Sequence, residues 1–279
     1  MKKIFIVGSV NTDLVITASR FPEQGETVAG GDFFIARGGK GANQAVACAR
    51  AGGKVYFCGC VGDDDFGKEA HRFLSKEGIN TSHLRAVPSC PTGTAMIVIT
   101  NGNNRIIVDK GANNHVSKED IDAFLSEAVE GDIFLTQAEN PIEIIGYGLK
   151  KAREKKLYTI LNPAPASEDL LPYLSYCDLI VPNETEAEIL GGSEHLLTLV
   201  PTVITTLGEK GFSIVTKEAN KTYPCKKIIP VDTTAAGDTF CGGLSARLAS
   251  GDNIEQSALF GSAAATLACT KKGAQPSIP

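Results

Sequence analysis

The stretch I-F-L-T-Q-A-E-N-P-I-E-I-I-G-Y-G-L-K-K-A-R-E-K-K-L-Y-T-I-L, Ile133–Leu161, decides the fold class. It opens and closes on short apolar runs, Ile133–Thr136 and Tyr158–Leu161, each the length of a strand buried on both faces. Between them Pro141–Glu154 reads as a helix with proline at its start. The alternation continues through a strand at Leu179–Val181, a helix at Glu184–Leu190 and a strand at Val203–Thr205. Strand-helix alternation implies a parallel sheet with helices on both faces. The connector Gly191–Thr202 is short for a crossover and has room for only a very short helix.

Towards the N-terminus, Lys3–Val7 and Lys54–Cys58 are further buried strands and Leu84–Val87 a short one. Helices are expected after Arg37–Gln44 through Ala51, at Phe66–Glu77, and at Ser117–Val129, where Ser117 and Asp120 make a capping-box variant. Two runs break the alternation. Leu14–Ala36 and Thr94–Asp109 are strand-like and lack helices; the second reads as a hairpin closed by N-G-N-N. The expectation is one α/β domain over residues 1–279, with a doubly wound, mostly parallel sheet. A small β-sheet lid, built from insertions at about 14–36 and 94–109, lies over its carboxyl edge.

The composition, 43% apolar and 21% charged over 279 residues, is that of a soluble globular enzyme. No apolar run approaches the ~20 residues that span a bilayer. The N-terminal M-K-K-I-F-I-V-G reads as a first strand, not a signal peptide. A net charge of −5 without a basic block argues against a nucleic-acid partner. Cys48, Cys177, Cys241 and Cys269 lie in apolar or small-residue runs, and Cys58 and Cys60 are spaced poorly for zinc. This pattern fits a reduced, cytoplasmic protein. The four histidines form no metal spacing.

Several stretches carry candidate chemistry. V-D-T-T-A-A-G-D-T-F, Val231–Phe240, brings three small residues to the start of a helix. If the helix begins at Gly237, its free N–H groups form an anion site, with Asp238 in the first turn as a base for a hydroxyl. The alternative is a loop with an ordinary helix cap. R-G-G-K-G-A-N-Q, Arg37–Gln44, is neither a P-loop nor a dinucleotide fingerprint, yet its glycines admit close backbone approach and Asn43 suits sugar hydroxyls. A tight strand-to-helix turn remains the alternative. Asn11 and Asp13 follow the first strand, where a ligand site falls in parallel sheets; Asp13 is a polyol acceptor or a turn residue. Glu139 is a further polar contact or a charge ahead of a helix. Asn183 and Glu186 of P-N-E-T-E share one helical face, as a cap or as a hold on hydrated Mg²⁺. T-T-L-G-E-K-G, Thr205–Gly211, is a nucleotide rim or a bare hairpin, and Thr270–Pro279 reads as a loop or a frayed terminus.

Together these elements resemble the ribokinase family of carbohydrate kinases. G-G-K-G-A-N-Q is similar to the family's first signature and D-T-T-A-A-G-D-T-F to its second, with P-N-E-T-E and T-L-G-x-x-G between them. The match runs from Ile4 to Ser277, and N-T-D, F-P-x-x-G-E-T-V, N-P-A-P-A and K-G-A-Q-P-S resemble the family's ribose kinases in detail. The resemblance implies ATP-dependent phosphorylation of the 5-hydroxyl of D-ribose. It implies Asp238 as base and Ala235, Ala236 and Gly237 as anion hole. Asn11, Thr12, Asp13, Gly39, Lys40, Gly41, Ala42, Asn43 and Glu139 would hold the sugar. Asn183, Thr206, Leu207, Gly208, Glu209, Lys210 and Gly211 would face ATP, with Glu186 ordering Mg²⁺. Asp232 and Ser277, with carbonyls of Thr234, Ala268, Lys271 and Gly273, would ligate a monovalent cation, normally K⁺. The small sheet would be the sugar lid and would pair two subunits into a homodimer. Two features depart from the family's pattern: the short Gly191–Thr202 connector, and a sequence ending at Pro279 where family members continue into a helix.

Overall fold

A computed structural model describes residues 1–100 and 103–279. Its central strand is β1 (Lys3–Val7). Ile4 and Ile6 pack into one core, Phe5 and Val7 into another on the opposite face. A strand apolar on both faces requires cover on both. α1 (Lys40–Arg50), α2 (Asp65–Lys76), α7 (Ala236–Ser250) and α8 (Ile254–Ala268) supply it on the Ile4 side. α3 (Lys118–Leu125), α4 (Ile142–Glu154), α5 (Glu184–Ile189) and α6 (Gly192–Leu199) supply it on the Phe5 side.

β1 pairs in parallel with β4 (Lys54–Gly62) and β8 (Ile133–Thr136). The sheet extends from β4 to β5 (Asn80–Val87) and from β8 through β9 (Tyr158–Leu161), β10 (Leu179–Ile180) and β11 (Thr202–Thr206). β12 (Phe212–Thr216) and β13 (Asn220–Tyr223) add an antiparallel edge. The chain therefore winds outward from β1 on one side and restarts at β8 on the other. Such a reversal opens a crevice beyond the carboxyl ends of the strands.

A second sheet, ordered β3-β2-β6-β7, combines β2 (Asn11–Ala18), β3 (Gly30–Gly38), β6 (Gly93–Thr100) and β7 (Asn103–Asp109). Its first pair is longer than the sequence suggested, so Asn11 and Asp13 sit on a strand and not in a turn. Of the expected N-G-N-N turn, residues 101 and 102 lie outside the described residues.

Other boundaries also moved. α3 stops at Leu125, four residues short of expectation, in a turn closed by the Ser126 hydroxyl bonding to Ala123 O. The Gly191–Thr202 connector holds α6, two turns long, whose Leu196 packs into the core. The C-terminal stretch is not frayed. Ile278 is buried, and Arg50 donates to the carbonyls of Gln275 (2.9 Å) and Ile278 (2.7 Å). All eight cysteines are free thiols; Cys269 is half-buried, where burial had been expected. Among the described residues no helix is long and apolar enough to cross a membrane.

α1 and α7 approach backbone to backbone. A Cβ on Gly242 would stand 2.4 Å from Ala47 Cβ and 2.7 Å from Gln44 O. The small residues after Gly237 thus allow the contact that brings the start of α1 to the start of α7.

Candidate active site

Residues at the carboxyl ends of five strands converge on the crevice: Ser9 and Asn11 after β1, Gln137 and Glu139 after β8, Asn162 after β9, Asn183 after β10, and Thr206 at the end of β11. Gly39 turns the chain from β3 into α1 at φ +89°, and a Cβ there would lie 2.7 Å from Asn11 N and 2.8 Å from Ser9 O. Only glycine fits both the left-handed backbone and that approach. Glu139 closes the same corner. Its carboxylate accepts from the Ser9 hydroxyl and from Lys40 N (2.9 Å), at the positive end of α1.

Asp238 is buried in the first turn of α7. Its Oδ2 accepts from Asn43 Nδ2 (2.9 Å) and its Oδ1 from Gln44 Nε2 (3.0 Å). Both donors come from α1. Asn43 Oδ1 is buried and has no protein partner, so an acceptor is left over beside the carboxylate. Lys40 is raised above the usual lysine range, first by the Asp238 carboxylate, against burial, with Glu139 and Glu186 adding to it. Asn11 is held at Oδ1 by Asn113 Nδ2 (2.8 Å), which leaves its amide nitrogen as donor. Asp13 has no side-chain hydrogen bond among the described residues. Burial, and then the Glu139 charge, push it up to about 6. A Cβ on Gly38 would lie 2.5 Å from its carboxylate oxygens.

The cleft continues past Asp238. A space of about 380 Å³ is lined by Lys40, Asn183, Glu186, Thr206, Ala236 and Gly237, among others. It shares Thr206, Gly208 and Gly237 with a larger one of about 620 Å³. Ala235, the cap of α7, sits at φ +60°, a conformation disfavoured for alanine by ~1–2 kcal/mol. The first N–H of α7, that of Ala236, donates to Thr233 O (3.2 Å), and Gly237 follows it on the wall of the cleft. Gly237 is not left-handed and a Cβ on it meets nothing within 4 Å, so neither packing nor backbone requires glycine there. The bare backbone leaves room for a ligand.

Asn183 and Glu186 form a capping box: Asn183 Oδ1 accepts from Glu186 N and Glu186 Oε2 from Asn183 N, both at 2.8 Å. Burial raises Glu186 above the usual carboxyl range, while the Asn183 N–H and Lys40 pull the other way. One carboxylate oxygen thus caps α5 and the other is free. The described residues contain no cluster of three or more His, Cys, Asp or Glu side chains able to cage a metal, and a phosphate-borne Mg²⁺ needs none.

Asp232 accepts from Thr234 N (2.9 Å), Thr234 Oγ1 (2.6 Å) and Gly273 N (2.8 Å). Burial pushes it up, but these bonds and Lys272 outweigh that and hold it below the usual range. Ala268 O accepts from Lys271 N, and the Ser277 hydroxyl donates to Ala274 O within its own turn. Both oxygens of the Asp232 carboxylate thus already accept from donors of its own loop and of Gly273.

Not every expected residue faces the cleft. Thr12 and Ala42 line a separate cavity of about 140 Å³ with Asn11, Phe66 and Phe73, and the Ala42 methyl is core. Leu207 closes the hairpin through its backbone bond to Gly211 O. Lys210 lies 3.5 Å from Glu184 and, with Gly208, Glu209 and Gly211, does line the larger space. Sequence reasoning missed Gln44, Gln137 and Asn162, and the far wall of the large space, Phe240, Ser262, Ala265, Thr266 and Cys269. The last four recur at 262, 265, 266 and 269, the spacing of one helix face, which was the available signal.

Residues 1–279 match the profile of the pfkB family carbohydrate kinases. The chain is 39% identical to a ribokinase of Haemophilus influenzae over 292 aligned residues, covering 100% of this chain and 95% of that protein. It is 34% identical to a deoxyribokinase of Salmonella typhi, covering 99% and 95%. The structure of Arabidopsis thaliana ribokinase complexed with ribose and ATP superposes with a TM-score of 0.88 at 30% identity, covering 100% and 96% of the two chains. A mostly parallel sheet, a small second sheet and a helix N-terminus beside a buried aspartate thus belong together, and the chain is a member of the pfkB family of carbohydrate kinases.

Proposed function

We propose that the protein transfers the γ-phosphoryl group of ATP to the 5-hydroxyl of D-ribose, giving D-ribose 5-phosphate and ADP. One observation carries this reading: the Asp238 carboxylate, fixed by Asn43 and Gln44, lies beside an α7 N-terminus that opens on the cleft. The sugar rests against Asn11, Asp13, Gly39, Asn43 and Glu139. Asp238 takes the proton of the 5-hydroxyl as its oxygen attacks phosphorus, and the bond to the ADP oxygen breaks. The first-turn N–H of Gly237, with Lys40, meets the charge on the transferring group. The nucleotide occupies the larger space between the Thr206–Gly211 hairpin and α8, and Glu186 holds water on a Mg²⁺ carried by the phosphates. Asp232 and neighbouring carbonyls would hold K⁺, which would stiffen the turn that Ala235 ends.

The second sheet closes over the sugar as a lid. Its outer face also supports a homodimer. By register, Phe33, Ile35, Met96 and Ile107 share the face opposite Asp13, and all four are more than half exposed. A patch of this kind marks an interaction surface.

ADP release with a panel of sugars, with and without K⁺, tests the reading. Ribose is expected to exceed 2-deoxyribose, fructose and adenosine by at least tenfold in kcat/KM. A preference for deoxyribose, the substrate class named by the Salmonella relative, is the second outcome, and equal rates on fructose or adenosine overturn the assignment.

A further inference from the structure

Asp238 is one end of a buried chain of side-chain amides. Gln44 Nε2 donates both to Asp238 Oδ1 (3.0 Å) and to Asn162 Oδ1 (2.9 Å). Asn162 Nδ2 donates to Val181 O (2.8 Å), and Gln137 Nε2 donates to Gln44 Oε1 (2.7 Å). All three amide side chains are buried. The direction of the chain is fixed by its far end. A backbone carbonyl accepts only, so Val181 O takes the nitrogen of Asn162 and turns the Asn162 oxygen to Gln44. Gln44 must answer with its nitrogen, and the second proton of that nitrogen then points at Asp238. Gln137 Nε2 donates to Gln44 Oε1 from the other side, in agreement with that orientation. The three anchors, Gln137, Asn162 and Val181, sit at the carboxyl ends of β8, β9 and β10.

We infer that Gln44 is the positioning residue of the base: the chain Val181 O–Asn162–Gln44, braced by Gln137, fixes the Asp238 carboxylate plane and keeps Oδ1 occupied as an acceptor. Asn43 holds the other oxygen from the sugar side. Without Gln44 the carboxylate turns about its own bond and loses its line to the sugar hydroxyl, while the sugar's own contacts remain. A misplaced base lowers the rate of transfer more than it lowers affinity. The inference rests on Asp238 being the base.

The test measures kcat, both KM values, ribose affinity by calorimetry and thermal stability for Gln44→Met, Asn162→Leu and their double variant, with Asp238→Asn alongside. Gln44→Met is expected to lower kcat about 30-fold and leave ribose affinity within threefold. Asn162→Leu should lower kcat about tenfold, and the double variant should be no slower than Gln44→Met alone, because both break one chain. Multiplied losses in the double variant, or kcat within threefold of the parent in Gln44→Met, overturn the inference. Gln44→Glu keeps the shape and faces Asp238 with a second carboxylate; it decides the matter if Gln44→Met does not fold, since more than 100-fold loss of kcat is expected and parent-like turnover overturns the inference. Full activity in Asp238→Asn would instead refute the base assignment; an inactive Asp238→Asn beside a parent-like Gln44→Met refutes the amide chain alone.

Discussion

The ends of the cleft proposed for the sugar and for the phosphates each carry an aspartate near a glycine turn, and the two are treated in opposite ways. Asp13 receives no side-chain or backbone donor among the described residues, and burial beside Glu139 pushes it up to about 6. Asp232 receives three donors, which hold it low against its burial. An unsatisfied, partly buried carboxylate costs stability and awaits a partner. A satisfied one stabilises a turn. The surroundings follow suit. Asn11, Asn43 and Gln44 are buried and bonded before any ligand binds, whereas Asn183, Gly208, Thr233 and Gly237 are exposed. The end of the cleft proposed for the sugar is thus buried and internally bonded, and the end proposed for the phosphates lies open to solvent.

Removing the group on which both sides converge has the largest expected effect. Asp238→Asn should lower kcat by about 10³-fold, the middle of the general-base range, with ribose still bound in calorimetry. Retained turnover would erase the distinction between the two sides. Next comes Asp13→Asn, which should raise ribose KM by about 10- to 100-fold, the worth of charge-assisted hydrogen bonds. The parent's ribose KM should rise as pH falls below about 6, when Asp13 takes up a proton.

The same residue predicts a stability effect of opposite sign. Because its folded-state pKa is raised from 3.8 to about 6, the folded chain binds the proton more readily than the unfolded one. Stability from this group is therefore lost as pH rises through that window. Asp13→Asn should raise the apoprotein's Tm at pH 8 by about 3 °C and leave it unchanged near pH 3. A lower Tm at pH 8 would mean that Asp13 is already satisfied.

On the phosphate side, Asp232→Ala frees the Thr234 turn from Gly273. Activation by K⁺ should disappear, with kcat falling roughly tenfold and ribose KM constant, the magnitude of one lost charge-assisted contact. A K⁺ titration reads it. The smallest effect is expected from Asn183→Ala, which removes the α5 cap at a cost of about 1 kcal/mol, seen in thermal unfolding.

Much of this was legible before any coordinates. β8 and β9 begin and end where the apolar runs Ile133–Thr136 and Tyr158–Leu161 do, because a strand buried on both faces needs an unbroken apolar run and the turn residues punctuate it. The capping box at Ser117–Asp120 is local chemistry and was readable as such. Strand edges of the second sheet were not. β2 starts at Asn11 and β3 ends at Gly38 because each is paired by a distant partner, Gly93 in one case and Asn11 in the other. α8 was overlooked because small residues against another helix leave little apolar periodicity.

The sequence by itself determined the layered α/β class, the glycine turn ahead of α1, and the pairing of small residues with an aspartate at the start of α7. These follow from patterns within a few residues, set by side-chain period and backbone freedom. Only the tertiary structure decided which polar groups meet. Gln44, Gln137 and Asn162 stand up to 118 residues apart and carry no local signal, since an amide becomes a positioning group only when buried opposite a partner. Tertiary structure likewise separated Thr12 and Ala42 from the neighbours that face the cleft, because alternate strand residues point to opposite faces and a methyl on α1 turns to the core.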